Sequence, residues 1–188
     1  MRKSLIAAVV AASLFTLAAC GNDDDTDTAA SHNGADVTFA QEMIPHHQQA
    51  IEMADLAESR AESQEVKDLA TDIEAAQGPE IETLTGWLES WGEDVPDEGM
   101  SGMDHGDMSS DDMGGMMTED EMADLESASG AEFDQMFLTM MIEHHEGAIE
   151  MAKTEQSEGE FPEAVDMAKE IETTQAEEIQ TMQDLLKS

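Results

Sequence analysis

Apolar residues recur at three- and four-residue steps from Phe39 to Ala57, the spacing of one face of a helix. On a wheel turning about 100° per residue, Phe39, Met43, Ile44, His46, His47, Ala50, Ile51, Met53, Ala54 and Ala57 share one half, and Gln41, Glu42, Pro45, Gln48, Gln49, Glu52 and Asp55 take the other. Asp36 stands where an N-cap is expected, and Pro45, with no backbone donor, predicts a kink or a late start. A second stripe runs through Val66, Leu69, Ala70, Ile73, Ile81, Leu84, Trp87, Leu88 and Trp91 and predicts a helix over roughly 64–90. Gln77 lies in the middle of that stripe and Glu80 at its edge. The same plan returns over 133–155 and 162–187, where Pro162 suits a first helical turn. Before it, "TEDEMADLESASG" reads as a short accessory helix ending near Gly130.

The return is a duplication. At a fixed offset of 98 and without a gap, Met43 to Leu88 and Met141 to Leu186 agree at 21 of 46 positions. Agreement runs past the opening "MIPHHQQAIEMA" and "MIEHHEGAIEMA" to Gln77 with Gln175 and Glu80 with Glu178. Two matching pairs of amphipathic helices, with no alternating strand pattern, predict an all-α fold: an up-and-down four-helix bundle built from two duplicated hairpins. A period this long, in two copies, does not describe a solenoid.

The ends and the middle differ in character. Residues 1–19 have a basic start at Arg2 and Lys3 and an apolar run from Leu5 to Leu17, the layout of an export signal and too short for a good spanning helix. "LAAC", Leu17 to Cys20, resembles a bacterial lipobox, which implies cleavage before Cys20, acylation of its sulfur and a membrane anchor. Cys20 is the single cysteine, so no intramolecular disulfide staples the fold. Residues 20–35 are small, polar and acidic and read as a tether. The remaining domain, 36–188, divides into hairpin 1 (36–92), a linker (93–117) rich in methionine, glycine and aspartate, and hairpin 2 (118–188).

Charge excludes one class of partner. The chain has 45 acidic and 7 basic residues, for a net charge of −38, so phosphate would be repelled and nucleic acid is not an expected partner. The same field raises the local concentration of cations.

Candidate chemistry rests on histidine and methionine. Four of the six histidines, His46, His47, His144 and His145, lie in the two copies and face the apolar half, where each ring nitrogen needs a partner. Met43 and Met141 share that face one turn earlier, and Met53 and Met151 follow about two turns on. Imidazole with thioether suits copper, the thioether favouring Cu(I). An alternative stays open, in which the histidines are core residues bonded to Gln77, Glu80, Gln175 and Glu178; in the metal reading these four accept from the imidazoles and orient them. The linker adds Met100, Met103, His105, Met108, Met113, Met116 and Met117, a flexible set suited to capturing a soft metal. The chain contains no Glu-x-x-His pair for a di-iron bundle, no zinc-protease helix and no phosphate-binding glycine loop.

The repeated Met-Ile-x-His-His core, with "GAEFDQMFLTMMIEHHEGAIEMA" from Gly130, resembles the signature of the DUF305 family of exported bacterial proteins, a domain of unknown function. The resemblance covers about 36–188 and implies a ferritin-like helical bundle. It also implies a link to copper binding and tolerance at the periplasm or cell surface, with Met43, His46, His47, Met53, Met141, His144, His145 and Met151 as the positions carried over. The expectation is an exported lipoprotein, on the outer face of the cytoplasmic membrane or elsewhere in the envelope. It would bind copper to buffer it or exchange it with a donor or acceptor protein. A redox metalloenzyme and a metal-free structural protein are the alternatives.

Overall fold

The computed structural model describes residues 31–96 and 114–188. The expected signal segment, Cys20, most of the tether, and Met100, Met103, His105, Met108 and Met113 lie outside the described residues. The described chain is helical: α1 (Gly34–Arg60), α2 (Gln64–Trp91), α3 (Glu119–Ser127), α4 (Ala131–Glu158) and α5 (Pro162–Leu185). No described helix is long and apolar enough to cross a membrane.

Local chemistry sets the helix ends. The N-cap of α1 is Asn33, not Asp36: the Asn33 side chain accepts from Ala35 N–H at 2.7 Å and Asp36 N–H at 3.2 Å, and the Asp36 carboxylate accepts from Asn33 N–H at 2.6 Å. Such a reciprocal box satisfies donors that a helix start otherwise leaves free. Ser63 caps α2, and Gly92, at φ +78°, ends it in the left-handed conformation that glycine adopts without strain. Thr118 and Glu121 form a second box on α3. Pro162 occupies the first turn of α5, as its sequence suggests.

Pro45 does not interrupt α1, which is continuous from Gly34 to Arg60, and α2 likewise runs through Pro79. Both prolines lie in the first hairpin, where their duplicates are Glu143 and Glu177. Interior proline costs about 3 kcal/mol, and in α1 the buried flank of Met43, Ile44, His46 and His47 holds the turn in place.

The hairpins α1–α2 and α4–α5 meet mainly through α1 and α4. The end of α1 lies beside the start of α4, where Gly130 N–H donates to the Arg60 carbonyl at 2.8 Å. At the opposite end the Asn33 side-chain amide donates to the Glu158 carbonyl at 2.8 Å. These two helices are therefore antiparallel. Two apolar clusters form the core. One takes Met53, Ala57, Ile73, Phe133, Phe137, Met141 and Met182; the other takes Phe39, Met43, Ile44, Leu84, Leu88, Ala152 and Ile171. On both α1 and α4 the histidine pair falls between the residues given to one cluster and those given to the other.

Candidate metal centre

An antiparallel helix pair built from two copies of one sequence sets each residue near the pair's midpoint against its own duplicate. His46 and His144 are such a pair, with ring centroids 3.8 Å apart and planes inclined by 41°. All four histidines are closed to solvent. His47 and His145 turn toward the second helix of their own hairpins, where Nε2–H donates to Glu80 and to Glu178, each at 2.7 Å. A neutral ring that donates from Nε2 keeps a lone pair on Nδ1. Those Nδ1 atoms, and both nitrogens of His46 and of His144, make no hydrogen bond of good geometry among the described residues, although the Gly114 carbonyl stands near enough to the His46 ring to act on its charge. The same holds for both amide atoms of Gln77 and for Gln175 Oε1, which are also buried.

Burial sets the charge of the central rings. It is the largest cause of a His46 pKa lowered to about 3, with the neighbouring His47 adding to it and the Gly114 carbonyl opposing it. His144 is lowered well below the ordinary imidazole value, first by burial and then by His46, His145 and His47. Both rings are neutral at neutral pH, the form in which imidazole binds a metal.

The thioethers gather on either side of this layer. Met53 and Met141 belong to one cluster; Met43 belongs to the other, with half-buried Met151 packed against it. Of these four, each side thus takes one from each hairpin. Among the described residues, no three imidazole, thiolate or carboxylate groups are disposed to hold an ion by themselves. The donors present are imidazole nitrogens without good hydrogen bonds and the thioethers of the two flanking clusters, a set that fits a soft ion and not a hard one.

Two polar residues were misplaced by the helical wheel or unremarked in the sequence. Gln49, assigned to the solvent half of α1, is buried: its Nε2 donates to the Met117 carbonyl at 2.9 Å and its Oε1 accepts from Met117 N–H at 2.7 Å. Met117 itself packs into the core, so it does not belong to the flexible set expected of the linker, whereas Met116 is half-exposed. Glu155 is also buried and has no acidic duplicate, since Ala57 occupies the equivalent place. The one signal in the motif was the pair Gln49 and Gly147, where otherwise well-matched copies differ.

A duplicated helical bundle with a buried histidine layer at its internal twofold is the class that fold and site define. The DUF305 model, a domain of unknown function, matches residues 36–186, and the chain belongs to that family. Among solved structures, a DUF305 protein from Streptomyces coelicolor, described as secreted, is 35% identical over 81% of this chain and 90% of that one, with a TM-score of 0.70. A DUF305 fragment from Deinococcus radiodurans is 30% identical over 82% and 96%, with a TM-score of 0.71. CopM in its Cu(I)-bound form is 31% identical over 81% and 95%, with a TM-score of 0.65, and CopM in its Cu(II)-bound form is 34% identical over the same shares, with a TM-score of 0.67. A search of curated proteins gives no match.

Proposed function

We propose that the bundle binds copper, chiefly as Cu(I), through His46, His47, His144 and His145 with thioethers from Met43, Met53, Met141 and Met151, and that it buffers copper outside the cytoplasm or passes it to a partner protein. The observation that carries this reading is the set of buried imidazole nitrogens without partners. A bundle built only for stability would gain by filling His46 and His144 with apolar side chains, because an unsatisfied buried polar group costs about 1–3 kcal/mol. The likeness to a protein solved with Cu(I), Cu(II) and silver supports it. Glu80 and Glu178 would fix the tautomer of the outer rings and leave Nδ1 to the metal. Linker methionines Met100, Met103, Met108, Met113 and Met116, with His105, would capture the ion first, and acylation of Cys20 would hold the domain at the membrane.

A double variant separates this reading from a structural one. In His46→Leu/His144→Leu, resistance to urea should be kept or raised while Cu(I) affinity, measured against a competing chelator, falls by at least tenfold. Parent-like binding with lost stability would refute the copper site and favour histidines that serve the core.

A further inference from the structure

Because the histidines are closed to solvent, an ion reaches them only if something moves. One neighbour of the cluster belongs to no helix: residues 114–117, the strap that leads into α3. Its Gly114 carbonyl lies beside the His46 ring. Gly115, at φ +85°, rests on α4 so closely that a Cβ there would stand 2.6 Å from the Glu143 carbonyl oxygen and 3.0 Å from that of His144. Gly147 makes this approach possible, since a Cβ on it would come within 1.8 Å of the Gly114 oxygen. From the facing helix, Gln49 grips the strap through its two hydrogen bonds to Met117. Gln49 and Gly147 are duplicates of one another: one copy of the position holds the strap and the other makes room for it.

The strap lies between two grooves. One, of about 470 Å³, is lined by Gly114 and Gly147 with Glu42, Glu150 and Met151. The other, of about 330 Å³, is lined by the strap with Glu121, Glu143 and Glu146. Carboxylates in such grooves concentrate cations beside the strap. No helix of the bundle has to part for the strap to lift; the two Gln49 hydrogen bonds, the glycine contact and the packing of the Met117 side chain have to give way.

We propose that the Gly114–Met117 strap is the gate through which a soft monovalent cation enters and leaves the histidine layer, with Gln49 as its latch and Gly147 as its seat. The inference rests on the copper reading of that layer. A latch alters access without altering the ligands, so loosening it accelerates uptake and release together and leaves affinity nearly unchanged.

The test uses Cu(I) delivered from, and withdrawn by, a chromogenic chelator, with the parent, Gln49→Ala and Gly147→Ala compared by stopped flow. Both variants should bind the parent's complement of Cu(I) and exchange it on the order of tenfold faster in each direction, the scale set by losing two net hydrogen bonds. Gln49→Glu, which keeps the acceptor for Met117 N–H and loses the donor, should fall between. Hydrogen exchange at the Met117 amide of the metal-free protein reports the strap directly and should quicken in the same order. Parent-like copper rates alongside a faster-exchanging Met117 amide would overturn the gate, because the strap would then be loose and access unchanged. Weaker binding without faster uptake would also overturn it, making the strap part of the ligand set. Failure of the copper reading shows separately, as binding that survives His46→Leu/His144→Leu.

Discussion

Glu155 is held at an unusual charge state by its burial and by one acidic neighbour. It is buried near the C-terminal end of α4 and faces Asp36, and burial first, then Asp36, raises its pKa from 4.5 to about 8. Burial pushes Asp36 up as well, but backbone N–H groups of Asn33, Phe161 and Glu160, together with Glu155, outweigh it and leave its pKa lowered. Near neutral pH Glu155 therefore keeps its proton beside an ionised Asp36. In the unfolded chain Glu155 ionises near its ordinary value while the folded form keeps its proton, so Glu155 makes stability fall as pH rises from 4.5 to about 8. The slope is at most about 1.4 kcal/mol per pH unit. His46 acts in the opposite sense, because it is neutral when folded and protonated when unfolded, and its contribution is lost as pH falls from 6.5 toward about 3. Glu155→Gln should remove the first trend and keep the second. Urea denaturation of the metal-free variant across this range should show stability no longer declining toward pH 8; a decline equal to the parent's would show that Glu155 is ionised in the fold.

At the scale of elements, the two copies are joined by an exchanged pair of aspartates that the sequence comparison, starting at Met43, did not reach. Asp36 at the start of α1 accepts from the backbone of Glu160 and Phe161 in the opposite hairpin at 2.9–3.3 Å. Its duplicate Asp134 at the start of α4 accepts from Glu62 N–H at 3.0 Å and Ser63 N–H at 2.9 Å. Each carboxylate ties the first turn of one hairpin to the loop of the other. Asp134→Ala should cost about 1–3 kcal/mol, since it strands two backbone donors that now bond to a charge, and urea denaturation would measure it; an unchanged midpoint would mean that water replaces the carboxylate at no cost. Periodicity made the inward histidines and the four long helices legible, because apolar spacing records which face meets another helix. It misassigned Gln49 because the neighbour on that side is the backbone of Met117, which needs a donor and an acceptor and so draws a polar side chain inward. Asp36 caps its own helix only as the reciprocal partner of Asn33; its remaining partners are 124 and 125 residues away, and local pattern carries no trace of them.

For the whole molecule, the internal twofold explains why a duplicated motif becomes a single centre. Each hairpin brings one outer histidine bonded to its own glutamate and one inner histidine with no partner inside that hairpin. Only the meeting of α1 with α4 sets His46 against His144 and pools the thioethers of both copies. Alone, either hairpin would expose the apolar face that the other covers, in hairpin 2 the surface of Phe133, Phe137, Met141, His144 and Ala148, all buried in the intact chain. A chain of residues 118–188 has the means to replace its lost partner with a second copy of itself, because the missing hairpin is its near duplicate and the α1–α4 contact is antiparallel. It is expected to be poorly helical when dilute and to form an antiparallel dimer with His144 against its own copy as concentration rises. Circular dichroism against concentration and sedimentation equilibrium would follow the transition. The fragment omits residues 114–117, and position 147 gives the dimer glycine on both sides where the intact protein has Gln49 on one, so neither strap nor latch survives in it. If the centre belongs to the twofold and the strap only controls access to it, the dimer should bind Cu(I) and exchange it faster than the intact chain. A folded monomer of 118–188 would instead show that the hairpin's stability does not depend on the α1–α4 contact.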